Sequence, residues 1–171
     1  MITVGILTMS DKGSRGERED LSGKEIERMI KDLPAEVMAY EVIPDETDII
    51  KAKIKEFVDK KKLDLILTTG GTGVSPRDVT PEATKAVIDR ELPGMAEAMR
   101  MESLKKTQNA MISRAVCGIR RQTLIINLPG SPKGVAENLY VVLPVIPHTI
   151  NLIKGTVTDC AKDREQHHHH K

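Results

Sequence analysis

Aromatic residues and cysteines are scarce in this sequence of 171 residues. It contains no Trp, two Tyr and one Phe. Because base-stacking platforms for nucleic acids rely on aromatic side chains, this composition argues against nucleic-acid binding. The two cysteines, Cys117 and Cys160, lie far apart and form no CxxC pair. We therefore expect neither a disulfide nor a zinc site, and a protein compatible with a reducing compartment.

Long apolar runs and an excess of either charge are missing as well. No apolar run approaches the roughly 20 residues of a membrane span. The apolar residues 1–9 have no basic stretch before them and no cleavage site after them, unlike a signal peptide. The 26 Lys and Arg residues nearly balance the 25 Asp and Glu residues, so no global charge attracts nucleic acid or membrane. We expect a soluble, cytoplasmic protein without a membrane or nucleic-acid partner.

The remaining composition is that of an ordinary globular domain. Hydrophobic residues make up 39% and charged residues 30%, and a chain of this length can bury a sizeable core. We expect one domain over residues 1–160. Residues 161–171, which include the histidine run 167–170, are interpreted as a polar tail that is disordered or a purification tag.

Strand-like and helix-like segments alternate along the chain. Apolar runs rich in β-branched residues predict strands at residues 2–9, 37–43, 63–69, 116–119 and 124–128. Helical spacing fills most intervals, and in one helical segment Met95, Met99 and Met101 are predicted to fill the core. Strands separated by such helices indicate an α/β fold with a mostly parallel sheet covered on both faces.

Ligands of such folds bind in loops outside the carboxyl ends of the strands. Residues 10–20, 44–47, 70–81 and 129–133 occupy that position. Nearly all the unusual residues of the sequence lie in these four loops, so we expect the functional site there.

The loop after the third strand begins with Gly70, Gly71, Thr72 and Gly73. Glycines let the backbone approach a ligand closely and turn its N–H groups toward an anion. The sequence that follows fits neither a Walker loop nor the GxGxxG fingerprint. The motif alone therefore indicates either an anion-binding loop or a tight turn.

The continuation of this loop concentrates prolines, charges and hydroxyls. Its candidate ligand-binding residues are Ser75, Pro76, Arg77, Asp78, Thr80, Pro81 and Glu82. Arg77 suits a phosphate, and Asp78 suits a hard cation such as Mg²⁺. A solvated charge at Arg77 and an Asx-turn at Asp78 are the alternatives. Thr80 and Pro81 predict a helix start with Thr80 as the cap.

Asp45 follows the second strand. It is interpreted as the N-cap of the next helix, as a second carboxylate that handles metal or protons opposite Asp78, or as both. Ser10 and Asp11 follow the first strand and either contact a sugar or phosphate or belong to an ordinary loop.

The last of the four loops contains Pro129, Gly130, Ser131, Pro132 and Lys133. Ser131 and Pro132 predict a helix start, and a helix N-terminus is a ready anion site. Because the helix dipole disfavours Lys133 there, this lysine either faces a ligand anion or points to solvent.

Two arginines outside these loops can be interpreted in two ways. Arg120 and Arg121 precede the last strand and either contact an anion or are surface charges.

The motifs in combination resemble the MoaB/Mog family, the molybdopterin adenylyltransferases, to which the gephyrin G domain is related. The resemblance rests on the runs 68–73, 77–84 and 127–133, with Ser10-Asp11 after the first strand and Ile43-Pro44-Asp45-Glu46 after the second. It covers about residues 2–155.

The resemblance implies a three-layer αβα sandwich, usually as a homotrimer. It implies the Mg²⁺-dependent reaction of molybdopterin with ATP to give adenylyl-molybdopterin and pyrophosphate, with a molybdate-inserting enzyme acting downstream. The family's two important aspartates fall on Asp45 and Asp78 as catalytic and metal-holding groups. Its nucleotide and pterin-phosphate contacts fall on residues 70–73 with their continuation, and on residues 129–133.

Two other functions use the same pocket. A carrier or scaffold binds molybdopterin without reaction, and a hydrolase cleaves a nucleotide or pyrophosphate with water. Paired carboxylates at Asp45 and Asp78 in a glycine-rich pocket favour an enzyme over a carrier.

Overall fold

A computed structural model of the protein describes residues 1–157. Cys160 and the predicted tail, residues 161–171, lie outside the described residues. The strands are β1 (Ile2–Met9), β2 (Ala35–Ile43), β3 (Leu65–Thr69), β4 (Arg90–Glu91), β5 (Cys117–Arg120) and β6 (Thr123–Leu128). The α-helices are α1 (Asp11–Ser14), α2 (Leu21–Met29), α3 (Thr47–Lys55), α4 (Thr80–Val87), α5 (Pro93–Leu104), α6 (Pro132–Val142) and α7 (Ile146–Ile153). Short 3₁₀ segments at Ile30–Asp32, Gln108–Ile112 and Leu143–Val145 and a π-helical turn at Glu56–Lys60 complete the backbone.

The strands form one sheet in the order β2-β1-β3-β6-β5-β4. The pairs β2-β1, β1-β3 and β3-β6 are parallel, whereas β5 runs antiparallel to β6 and β4 antiparallel to β5. The mostly parallel sheet predicted from the sequence is confirmed. The antiparallel edge arises because only two residues connect β5 to β6, with Arg121 at φ 53°, and a parallel crossover needs a much longer connection.

Helices cover both faces of the sheet, so the protein has three layers. Alternation along each central strand sends side chains to opposite faces. In β6, Leu124, Ile126 and Leu128 pack with α2, α5, α6 and α7, whereas Ile125 packs with Ile50 and other residues of the α3 and α4 face. The central strands are therefore buried and mostly apolar, which is why they stand out in the sequence.

Two predicted helix caps are wrong. The cap of α4 is Val79, and the Thr80 hydroxyl instead donates a hydrogen bond to the carbonyl oxygen of Gly70 at 2.9 Å. The cap of α3 is Glu46, without a side-chain cap bond, and Asp45 bonds elsewhere. The Ser131 cap is confirmed, because its hydroxyl accepts a hydrogen bond from the Gly134 N–H at 3.0 Å.

The methionines of α5 divide between core and surface. Met99 is buried and Met95 packs against the core, as predicted. Met101 is 69% exposed, so its assignment to the core is wrong. Within residues 1–157, no helix combines the length and the apolarity that a membrane crossing requires.

Candidate active site

The loops after β1, β2, β3 and β6 enclose a cleft of about 950 Å³ at the carboxyl edge of the parallel strands. The predicted site residues that line it are Ser10, Asp11, Asp45, Gly70, Gly71, Ser75, Arg77, Asp78, Gly130 and Pro132. The topology brings these segments together because β1, β3 and β6 are neighbours and β2 flanks β1.

The other predicted site residues lie around this cleft without lining it. Pro129, Ser131 and Lys133 line a neighbouring pocket of about 340 Å³. Pro81 and Glu82 line a third pocket of about 420 Å³. The remaining predicted residues, Thr72, Gly73, Pro76 and Thr80, line none of these three cavities. Residues 129–133 thus form a wall in which alternate residues border two different pockets.

Gly70 and Gly71 hold the floor of the cleft in a conformation that other residues rarely adopt. Their φ angles are 95° and 69°. A Cβ at Gly70 would collide with the carbonyl oxygen of Met9, and a Cβ at Gly71 would collide with the Thr80 hydroxyl. The Gly71 Cβ position is also only 3.2 Å from Oδ1 of Asp45. These glycines therefore let the loop backbone lie directly against the Asp45 carboxylate.

The carboxylates of Asp11 and Asp45 each accept a hydrogen bond from the backbone N–H of the other residue. The Asp11 N–H donates to Oδ2 of Asp45 at 3.1 Å, and the Asp45 N–H donates to Oδ1 of Asp11 at 3.0 Å. Arg77 then donates from Nε and Nη2 to the two carboxylate oxygens of Asp11, at 3.1 and 2.9 Å, and from Nη2 to Glu46 at 2.8 Å. Arg77 is thus held by two carboxylates of neighbouring loops, and a phosphate would compete with them for its guanidinium.

Burial raises the pKa of Asp45, and the nearby negative charges of Asp11 and Asp78 raise it further. The hydrogen bonds from Arg77 lower the pKa of Asp11 instead, and the bond from the Asp45 N–H adds to this effect. The cleft therefore holds one carboxylate with a raised pKa beside another with a lowered pKa.

Asp78 is fixed by its own loop. Its Oδ2 accepts a hydrogen bond from the Ser75 N–H at 3.0 Å, and its N–H donates to the Ser75 carbonyl oxygen at 2.9 Å. An Asx-turn at Asp78 would require the Thr80 N–H, which instead donates to the Gly71 carbonyl oxygen at 3.2 Å, so that alternative is wrong. Asp78 still lines the cleft, and its bond to Ser75 is compatible with a ligand-facing role.

Sequence reasoning missed Asp20, which lines the cleft at the start of α2. Its Oδ1 accepts from the Gly23 N–H at 2.9 Å, and its Oδ2 accepts from the Thr8 hydroxyl at 2.6 Å and from the Tyr40 hydroxyl. Ser22, two residues later, donates to the Gly130 carbonyl oxygen at 2.6 Å. The start of α2 is thus tied to β1, to β2 and to the loop after β6. An Asp before an apolar periodic run is a capping signal, and that signal was available in the sequence.

Sequence reasoning also missed Arg114, whose contacts lie in the loop that carries Asp78. Its sequence position, between α5 and β5, gave no local sign of this contact. The neighbouring Arg120 lies elsewhere: it is bound to Asp59 at the end of the sheet where β6 begins, opposite the cleft.

The neighbouring pocket is rich in cations. Arg100, Lys106 and Lys133 line it together with Glu137, which pairs with Lys106 at 3.6 Å. Lys133 forms no ion pair within residues 1–157. The pocket therefore presents a net positive surface next to the carboxylates of the larger cleft.

Comparison with known families decides between the classes of protein that use such a cleft. Residues 5–148 match the family model described as a probable molybdopterin binding domain. This chain belongs to that family. The resemblance to MoaB/Mog proteins seen in the sequence is thereby confirmed.

The relatives of this family member include named enzymes. A molybdopterin adenylyltransferase of Helicobacter pylori strain J99 is 47% identical over 157 residues, covering 90% of this chain and 89% of that protein. Gephyrin of Dictyostelium discoideum is 49% identical over 162 residues, which cover 89% of this chain and 22% of gephyrin. The crystal structure of the molybdopterin biosynthesis enzyme MoaB from Thermus thermophilus matches with a TM-score of 0.86 and 55% identity, covering 91% of this chain and 98% of that one.

The family resemblance implies Mg²⁺, and the donor set of the cleft fits this ion. Residues 1–157 contain no cluster of three or more His, Cys, Asp or Glu side chains poised to hold a metal. Mg²⁺ does not need one, since it is commonly held by one or two carboxylates together with substrate phosphates and water. Asp45 and Asp78 border the same cleft and interact electrostatically, so they supply that minimal set.

Proposed function

We propose that the protein is a molybdopterin adenylyltransferase that uses ATP. A terminal phosphate oxygen of molybdopterin attacks the α-phosphorus of ATP, the bond from that phosphorus to the oxygen that leads to the β-phosphate breaks, and pyrophosphate leaves with the electron pair. One observation carries the proposal: a carboxylate-lined cleft and a cationic pocket share the wall formed by residues 129–133. Two substrates that exchange a phosphoryl-linked group need such adjoining compartments.

The larger cleft suits the nucleotide. Its volume of about 950 Å³ is within the range of small-molecule and cofactor sites. The backbone of Gly70 and Gly71 lies at its surface without side chains, which supports close contact with phosphate oxygens. Lys12, Arg18 and Arg77 line it as counter-charges to the triphosphate.

The smaller pocket suits the acceptor. Molybdopterin carries a terminal phosphate, and Lys133 in the first turn of α6 lines the pocket together with Arg100 of α5 and Lys106 after α5. Gly130 and Pro132 border the larger cleft while Ser131 and Lys133 border the smaller one. A phosphate held at Lys133 would therefore lie beside the wall that the nucleotide contacts from the opposite side.

Most of the rate acceleration would come from positioning and from neutralised charge, because phosphoryl and adenylyl transfer asks little covalent chemistry of a protein. Mg²⁺, when held by Asp45 and Asp78, would supply positive charge that offsets the developing negative charge of the phosphates. Arg77 keeps Asp11 ionised and Asp11 in turn holds the Asp45 backbone, so the pair fixes the orientation of the carboxylate that borders the nucleotide.

The proposal extends to the assembly and its setting. Met101, Met111 and Ile112, at the end of α5 and in the 3₁₀ segment after it, are more than half exposed, which supports burial against other copies in a homotrimer. Light scattering coupled to size-exclusion chromatography measures the mass directly. We place the reaction in the cytoplasm, with a molybdate-inserting enzyme consuming the product.

An adenylylation assay tests the proposal. Purified protein is incubated with molybdopterin, ATP and Mg²⁺, and adenylyl-molybdopterin and pyrophosphate are quantified by chromatography. We expect product from the wild type and a loss of at least about 100-fold in kcat for Asp45→Asn and Asp78→Asn, in line with the removal of a group that stabilises transition-state charge.

The other functions predict different results in the same experiment. Molybdopterin bound without product at any Mg²⁺ concentration would identify a carrier or scaffold. ATP breakdown without molybdopterin would identify a hydrolase. Wild-type turnover by Asp78→Asn would show that this carboxylate holds no essential metal.

A further inference from the structure

Arg114 contacts three groups of the loop between β3 and α4 and one group of α4 itself. Its Nε donates to the Gly73 carbonyl oxygen at 2.7 Å, and its Nη2 donates to the Asp78 carbonyl oxygen at 2.8 Å. Its Nη1 pairs with the Glu82 carboxylate, and its backbone N–H donates to the Thr72 carbonyl oxygen at 2.8 Å. One residue thus spans the loop from its beginning to the first turn of the next helix.

The loop backbone depends on this residue. Within residues 1–157, the hydrogen bonds that the backbone of residues 72–78 makes to other segments all go to Arg114. The bonds between Ser75 and Asp78 lie inside the loop and do not fix its position relative to the sheet. The Arg77 side chain ties the loop to Asp11 and Glu46. The position of the Asp78 carboxylate in the cleft therefore depends on two arginines, of which Arg114 holds the loop backbone.

The backbone around Arg114 is held in turn by another residue. Arg100 of α5 donates from Nη1 to the carbonyl oxygen of Ala115 at 3.0 Å and to that of Ser113 at 3.4 Å. The carbonyl groups on both sides of Arg114 are thus held by a second arginine. Because its backbone is fixed, Arg114 presents its guanidinium to the loop in one direction.

We infer that Arg114 is a positioning residue for adenylyl transfer, which sets the Asp78 loop at the distance from Asp45 that Mg²⁺ binding requires. The inference rests on the proposed function. Arg114 lies outside the residues that line the larger cleft, so it acts through Asp78 and not by contact with the nucleotide. Only a planar guanidinium reaches three acceptors from three nitrogens at once, and a lysine ammonium has no such geometry.

The chain offers a matched control in Arg120. It also engages three nitrogens: Nε and Nη2 donate to Asp59 at 3.1 and 2.7 Å, and Nη1 donates to the Val87 carbonyl oxygen at 2.8 Å. It lies at the opposite end of the sheet. Arg120→Met therefore removes a comparable set of hydrogen bonds far from the cleft. The variants Arg114→Met and Arg114→Lys are compared with this control.

Three measurements separate positioning from general destabilisation. Amide hydrogen exchange is followed in residues 72–78. Calorimetry measures ATP binding as Mg²⁺ is titrated, in the absence of molybdopterin. Steady-state assays give kcat and the KM for ATP at saturating Mg²⁺.

For Arg114→Met we expect faster exchange in the loop, a Mg²⁺ midpoint raised by about 10–100-fold and a kcat lowered by a similar factor, as for other groups that orient metal ligands. The KM for ATP at saturating Mg²⁺ should change little. Arg114→Lys should fall between wild type and Arg114→Met, and it carries the test if Arg114→Met does not fold. Arg120→Met should retain wild-type values in all three measurements.

Wild-type exchange and a wild-type Mg²⁺ midpoint in Arg114→Met would overturn the inference, as would equal losses in Arg120→Met. Failure of the proposed function gives a different result. In that case the wild type forms no adenylyl-molybdopterin, whereas loop exchange and Mg²⁺-dependent ATP binding still report on the role of Arg114.

Discussion

At the scale of single residues, Asp45 shows a conflict between stability and function. Burial and the charges of Asp11 and Asp78 raise its pKa, so the native protein binds a proton there more tightly than the unfolded chain does. The free energy of unfolding therefore falls as the pH rises from the ordinary Asp value of about 3.9 through the raised native value. A charged Asp45 costs stability at neutral pH, and its retention is explained by the ligand that it faces.

Asp45→Asn should accordingly raise the melting temperature at pH 7 while it abolishes adenylylation. The gain should shrink as the pH falls and vanish below about pH 3.9, where Asp45 is protonated in both states. Scanning calorimetry from pH 3 to pH 7 measures it.

Asp11→Asn serves as the control, because it should change the melting temperature in the opposite direction. Arg77 lowers the pKa of Asp11, so its charge stabilises the native state above the ordinary Asp pKa and this contribution is lost as the pH falls. Asp11→Asn should therefore melt lower at pH 7. An unchanged or lower melting temperature for Asp45→Asn would show that burial and charge repulsion do not control the pKa of Asp45.

The glycines of the site give a second residue-scale prediction. Gly71→Ala places a Cβ at φ 69° against the Thr80 hydroxyl, whereas Gly16→Ala places one at φ 74° with no heavy atom within 4 Å. Both variants carry the backbone cost of about 1–2 kcal/mol. Gly71→Ala should lose more stability than this and most of its activity, while Gly16→Ala should keep its activity. Urea unfolding and the adenylylation assay compare them, and equal losses in the two variants would reject a steric role for Gly71.

At the scale of elements, Asn127 joins the sheet to a helix. Its Nδ2 donates to the hydroxyls of Thr68 in β3 and Thr84 in α4, at 3.0 and 3.1 Å, and its Oδ1 accepts from the Val116 N–H at 3.1 Å. The side chain is fully buried, so its removal leaves these partners without water to replace it.

Asn127→Ala should therefore cost about 1–3 kcal/mol of unfolding free energy. The exposed Asn151 provides the control, and Asn151→Ala should stay within about 0.5 kcal/mol of wild type. Urea titration followed by circular dichroism measures both. A loss in Asn127→Ala no larger than that in Asn151→Ala would contradict the structural role of this network.

Elements were predicted from the sequence where one segment carried its own signal. The buried strands and the helix start at Ser131 depend on local patterns, and they were predicted well. Thr80 and Asp45 were wrongly predicted as caps because their side chains bond partners in other loops, Gly70 and Asp11, that a local pattern does not include. Arg114 was missed for the same reason: the partners of its side chain lie 32 to 41 residues away along the chain.

At the scale of the whole molecule, the cleft is assembled from loops of four strands in a single sheet. Unfolding separates these loops, so a ligand that contacts several of them binds the native state and not the unfolded chain. Such a ligand stabilises the whole protein by mass action, by about 2.7 kcal/mol at 100 times its dissociation constant. For a chain of this length that corresponds to a rise of roughly 5–11 °C in melting temperature, at about 2–4 °C per kcal/mol.

ATP with Mg²⁺ should raise the melting temperature of the wild type by this amount, and EDTA should remove most of the rise. The reason is that ATP alone brings roughly four negative charges to a cleft that already holds Asp11, Asp45 and Asp78. Asp78→Asn should lose the Mg²⁺-dependent part of the rise. When EDTA is present it should bind ATP more tightly than the wild type does, because the variant lacks one negative charge that repels the phosphates. Differential scanning fluorimetry with and without EDTA measures all four conditions. An equal rise with and without EDTA in the wild type would mean that the nucleotide is held by the cations and backbone of the cleft alone, and that the carboxylates serve a purpose other than holding a metal.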